Sequence, residues 1–138
     1  MYVWSNLARR MVDAMPETLT DLKEGISRVV RQIVEKFRPQ KVILFGSYAY
    51  GEPHEGSDLD LLVVTPKPPP REEAWKVAYE LGKHLPIPLQ IFFMSPEEFE
   101  ETKDVVGGLA YPAHHWGMAL YEAAEVKKVN EGNIRSRS

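Results

Sequence analysis

The sequence contains no cysteine. That excludes a disulfide framework, a thiolate zinc site and a cysteine nucleophile. It also contains no apolar run near the ~20 residues that cross a bilayer, and Arg9 and Arg10 are followed by no apolar signal core. A cytoplasmic protein with no membrane partner is expected. Charge of one sign is nowhere concentrated. The net charge is -3, and no block of five like charges occurs. A protein that grips nucleic acid draws much of its affinity from a basic face that neutralises phosphates. A nucleic-acid substrate is therefore disfavoured, and a small phosphate ligand or a protein partner fits better.

What the chain does have is enough length, 138 residues, for one domain that buries roughly two-thirds of its extended surface. The expected organisation is an N-terminal extension over 1–20, a folded domain over 21–125 and a mobile polar tail over 126–138. The extension carries Tyr2, Val3, Trp4 and Leu7, apolar weight that suits a subunit contact, a homo-oligomer included. Leu22, Ile26, Val29, Val30, Ile33, Val34 and Phe37 recur at helical spacing. This predicts a helix capped by Thr20 and stopped by Pro39. Lys41–Phe45 reads as a short buried strand ended by Gly46 and Ser47. A connector with Gly51, Pro53 and Gly56 leads to a second strand, Asp58 to Thr65, whose near-continuous apolar run predicts cover on both faces.

The prolines between 66 and 70 make a rigid surface connection. A helix over 72–84 follows, with Trp75, Ala78, Tyr79 and Leu81 as its expected apolar, core-facing stripe. A third strand runs from Leu89 to Met94. Ser95 with Glu98 three residues on, and Pro96 between them, is a capping box that opens a helix to about Lys103. A segment around Gly117 to Tyr121 closes the ordered part. The fold class expected is α+β, a mixed β-sheet flanked by helices, with a crossover helix between the second and third strands.

The chemistry is concentrated in Phe45-Gly46-Ser47, ten intervening residues, and Asp58-Leu59-Asp60. Side chains alternate along a strand, so the two acids share a face about 7 Å apart. Two carboxylates so placed repel each other, and a hard divalent cation resolves the repulsion. Magnesium (Mg2+) is usually held by one or two carboxylates together with substrate phosphates. Gly46 and Ser47 stand where a strand ends and a helical turn begins, which presents backbone N–H groups to phosphate oxygens. Glycine allows close approach, and the Ser47 hydroxyl adds a donor. The joint pattern predicts a nucleoside triphosphate site with Asp58 and Asp60 as metal ligands and catalytic groups and Gly46 and Ser47 as nucleotide-binding residues. His114 and His115 are adjacent, should diverge on a regular element and have no i+4 partner, so no metal role is expected of them. Ser57 reads as a turn residue.

Gly46-Ser47, ten residues and Asp58-Leu59-Asp60 resemble the signature of the polymerase-beta-type nucleotidyltransferase superfamily, and the small size resembles its minimal nucleotidyltransferases, the antitoxin partners of HEPN-domain proteins. The resemblance runs from about Val29 to Glu122. It implies the nucleotidyltransferase fold and transfer of a nucleoside monophosphate, AMP from Mg-ATP, to a hydroxyl with release of pyrophosphate. The acceptor it implies is a tyrosine of a HEPN toxin. Two positions depart from the pattern. Gln90 stands at the third-carboxylate position, with Glu97, Glu98 and Glu100 as the nearest substitutes, and Tyr50 stands where relatives often carry an arginine. Two readings stay open: an enzyme with a reduced metal site, and a non-catalytic nucleotide- or partner-binding antitoxin module.

Overall fold

A computed structural model describes residues 19–50 and 58–123. Residues 1–18, on which the expected subunit contact falls, the connector 51–57 and the tail from residue 124 lie outside the described residues. The elements are α1 (Leu19–Phe37), β1 (Lys41–Phe45), α2 (Ser47–Tyr50), β2 (Leu59–Val64), α3 (Arg71–Gly82), β3 (Leu89–Met94), α4 (Pro96–Thr102), α5 (Ala110–Trp116) and β4 (Met118–Glu122). Thr20 lies inside α1 and does not cap it, because the helix extends about one turn beyond its apolar stripe.

The four strands form one sheet in the order β3-β2-β1-β4. β1 is antiparallel to β2 and β4, whereas β2 and β3 are parallel. Parallel neighbours need a crossover, and α3 supplies it. The expected mixed sheet is therefore present. α5 and β4 are additions to the expected elements. Tyr111-Pro112 and the paired histidines show no helical stripe in sequence, yet Pro112 sits in the first turn of α5, where its missing N–H removes no helical bond.

β2 is covered on both faces, as its apolar run predicts. Leu59, Leu61 and Val63 pack with α1 residues Leu22, Ile26 and Ile33, while Leu62 and Val64 pack with Phe99 of α4 and Ala113 of α5. Fully burying each such aliphatic side chain stabilises the fold by about 1.5–3 kcal/mol. Thr65 is the buried polar residue of the described core; its hydroxyl donates to the Phe37 carbonyl at 3.0 Å, tying the end of β2 to the last turn of α1. The capping box is realised, with the Glu98 N–H donating to Ser95 Oγ at 3.1 Å.

The stripe on α3 is corrected. Val77 is its buried residue, with Ala78 and Leu81 packed against the core. Trp75 and Tyr79 are 71% and 61% exposed, stacked on each other at 6.2 Å between ring centroids. Apolar residues cover more than one face of this helix, so the sequence pattern did not decide which edge of the arc turns inward.

Candidate active site

The register of β1 against β2 pairs Phe45 with Asp60. The chain leaves β1 at Gly46 directly over that aspartate. Gly46 has a φ of 83°, a left-handed conformation that glycine adopts without strain. A Cβ on Gly46 would also overlap the Asp60 carboxylate oxygen Oδ2. Both conditions demand glycine, and together they bring backbone into van der Waals contact with the acid. The Gly46 carbonyl then accepts from the Ala49 N–H at 3.0 Å, turning the chain into α2, which Ser47 opens. The buried Tyr48 and Ala49 anchor this turn in the core.

Asp58 precedes β2 and Asp60 lies within it. Burial, and after it the Asp58 charge, raise the Asp60 pKa from 3.8 to about 6. The Tyr48 phenol is raised too, first by burial and then by Asp58. The Asp58 charge thus reaches both Asp60 and Tyr48. Two hard oxygen donors on one side of a strand, one of them half-buried with its ionisation opposed by burial and by the other's charge, are a set that a divalent cation would relieve.

The parallel register of β2 and β3 sets Gln90 opposite Asp60, and its amide Nε2 donates to Asp58 Oδ2 at 3.3 Å. Gln90 is therefore the β3 side chain at the acid pair. Glu97, Glu98 and Glu100 are on α4, which begins after the opposite end of β3, so they do not substitute for it. The side chain of Tyr50 lies outside what the structure describes. The arrangement joins an open glycine turn, two neighbouring carboxylates and a neutral amide at one end of the sheet.

Two features went unread in the sequence. Asp58 and Gln90 also line a cavity of about 450 Å³ whose other walls include Trp75, Tyr79, Leu89 and Phe92; only the wrong assignment of Trp75 and Tyr79 to the core hid it. Elsewhere, Asp104, His114 and His115 bring one ligand atom each to within 4.8 Å of one another, all exposed. His115 Nε2 lies 2.9 Å from Asp104 Oδ1, and the two imidazoles meet at 4.8 Å between centroids, which corrects the expectation that the adjacent histidines diverge. A ligand from the loop before α5 is invisible to a rule based on helical spacing.

A family model of the nucleotidyltransferase domain matches residues 26–109. The proposed protein adenylyltransferase MJ1215 of Methanocaldococcus jannaschii is 36% identical over 47 residues, covering 34% of this chain and 55% of that protein. The chain thus spans about half the length of the curated relatives it matches. Among solved structures, a toxin–antitoxin with AMP-PNP superposes with a TM-score of 0.56 at 20% identity, over 80% of this chain and 86% of that one. A mutant of the toxin–antitoxin MntA-HpeT gives 0.52 at 18%, over 80% of each. At these identities the likeness is one of fold. The matched stretch contains Gly46, Ser47, Asp58, Asp60 and Gln90 and exceeds half of the sequence, and so the chain belongs to the nucleotidyltransferase domain family.

Proposed function

We propose that this domain transfers AMP from magnesium–ATP to a protein hydroxyl, the acceptor being a tyrosine of a HEPN-domain toxin that the modification silences. The observation that carries the reading is the Gly46 turn held against Asp60, with the Asp58 charge opposing Asp60 ionisation. Names and neighbours support it. Curated relatives are proposed protein adenylyltransferases, and toxin–antitoxin structures, one with AMP-PNP, share the fold.

In this reading Gly46 and Ser47 hold the β- and γ-phosphates, and Asp58 and Asp60 are the magnesium ligands. Held there, magnesium would supply the charge neutralisation that phosphoryl transfer chiefly requires. The acceptor oxygen forms a bond to the α-phosphorus, the α–β anhydride bond breaks, and its electron pair leaves with pyrophosphate. The hydroxyl proton passes to water or to the nearer carboxylate, because the Gln90 amide is no base. Its part is to orient Asp58, to which it donates.

Gln90 also favours a second reading, a non-catalytic module that binds nucleotide or partner with a reduced metal site. Incubation with labelled ATP, magnesium and the HEPN-domain partner separates the two. Label on the partner that disappears with Asp58→Asn supports transfer; tight partner binding with no label, unaltered by Asp58→Asn, supports the module.

A further inference from the structure

We infer that the acceptor docks as an extended polypeptide segment along the outer edge of β3, in the groove between that strand and α3, with Trp75 and Tyr79 as its positioning residues. The inference rests on the transfer reading above and adds where the acceptor polypeptide lies and in what conformation.

β3 is an edge strand of the described sheet. The Pro88 carbonyl accepts from the Leu59 N–H, and the Met94 carbonyl from the Thr65 N–H, both at 2.9 Å. In a parallel ladder the direction of backbone groups alternates residue by residue, so even-numbered positions of β3 bond to β2. The N–H and C=O groups of Leu89, Ile91 and Phe93 consequently face outward. The cavity beside them collects Leu89 and Ile91, whose side chains lie on one face of the sheet, together with Gln90 and Phe92 from the other. A cavity that touches both faces of a strand runs along its edge. Outward backbone groups repeating every second residue, beside an apolar cavity, are what strand addition by a polypeptide uses.

The position of the groove fits in-line chemistry. The sheet order sets β1, with Gly46 at its end, on one side of β2 and β3 on the other. If pyrophosphate departs toward Gly46 and Ser47, the attacking hydroxyl enters from the opposite side of the α-phosphate, past Gln90. The groove reaches that point, since Asp58 and Gln90 are among its lining residues. None of its lining residues is basic, which disfavours a nucleic-acid acceptor with phosphates to neutralise. The stacked, largely exposed Trp75 and Tyr79 offer a flat apolar wall to side chains next to the acceptor hydroxyl.

The test compares the unaltered chain with Trp75→Ala, Tyr79→Ala and the conservative Trp75→Phe. Three quantities are measured: calorimetric affinity for magnesium–AMP-PNP, initial rates of label transfer from ATP against HEPN-domain partner concentration, and hydrogen exchange at Leu89, Ile91 and Phe93 with and without partner. Both side chains are exposed, so folding is retained. The expected result is AMP-PNP affinity unchanged within twofold, KM for the partner raised at least tenfold by Trp75→Ala, kcat within threefold, and most of the loss recovered by Trp75→Phe. The three amides are protected when partner is added. An unchanged KM, unprotected amides, or a tenfold fall in AMP-PNP affinity (a nucleobase on Trp75) would each overturn the inference. Amides protected in a complex that transfers no label uphold the docking surface while sinking the transfer reading.

Discussion

At the scale of single residues, the site turns on the contact between Gly46 and Asp60. Alanine at position 46 would have to hold a φ of 83° and displace the Asp60 carboxylate. Gly46→Ala is expected to cost about 1–3 kcal/mol of stability and to abolish AMP-PNP binding, as read by urea denaturation and calorimetry. Asp60 itself makes a pH prediction. Its pKa is raised to about 6 from 3.8, so between those values the folded chain holds a proton that the unfolded chain has released. Stability of the ligand-free protein therefore declines as pH rises through that window and levels off above it. Asp60→Asn should remove this component of the decline and raise Tm at pH 7.5 by about 3 °C; thermal melts from pH 4 to 8 that run parallel for the two proteins would refute the assignment. The sequence displayed the acids and the glycine plainly, because strand alternation and a fixed spacing are local facts. The left-handed φ and the overlap with Asp60 depend on the register of two strands, which no local pattern encodes.

At the scale of elements, what was legible followed the strength of the local signal. α1 carries a seven-residue apolar stripe, β1 to β3 are apolar runs with turn residues at their ends, and α4 has its capping box written out; all five are present. α5 and β4 carry little periodicity and form because β1 offers β4 a free edge, from Lys41 opposite Glu122 to Leu44 opposite Met118. The orientation of α3 was illegible for a different reason: apolar residues on adjacent faces make two rotations equally compatible with burial, and packing of Val77 under the sheet chooses one. The cap on α4 is testable separately from the site. Ser95→Ala removes the acceptor for the Glu98 N–H and should cost about 1 kcal/mol in urea denaturation with nucleotide affinity unchanged. α4 starts at the end of β3 remote from Gln90, so a loss of affinity would mean that the two ends of the strand are coupled.

At the scale of the whole molecule, the described domain is a four-stranded sheet between two helical layers, α1 and α3 on one face and α4 and α5 on the other. Gly46, Asp58, Asp60 and Gln90 of the candidate site collect at one end of β1, β2 and β3. That end stores an unfavourable term, the ionised Asp60 carboxylate opposed by burial and by the Asp58 charge, which a cation removes at neutral pH. With a net charge of -3 the chain repels free polyphosphate, and two carboxylates with a neutral Gln90 form a weak cage for a lone cation. Metal and nucleotide should therefore bind as a unit, each reducing the electrostatic cost of the other. At a hundredfold excess over Kd a ligand specific for the folded state adds about 2.7 kcal/mol, or a Tm increase of about 8 °C for a domain of this size. The expected melts show most of that rise with magnesium and AMP-PNP together and little with magnesium alone or with AMP-PNP in a chelator. Gln90→Glu should shift this balance, raising the effect of magnesium alone by supplying a third negative ligand beside Asp58. If AMP-PNP with chelator stabilises as strongly as the pair, the acids do not share a cation with the nucleotide, and the division of labour between the Gly46 turn and β2 is wrong.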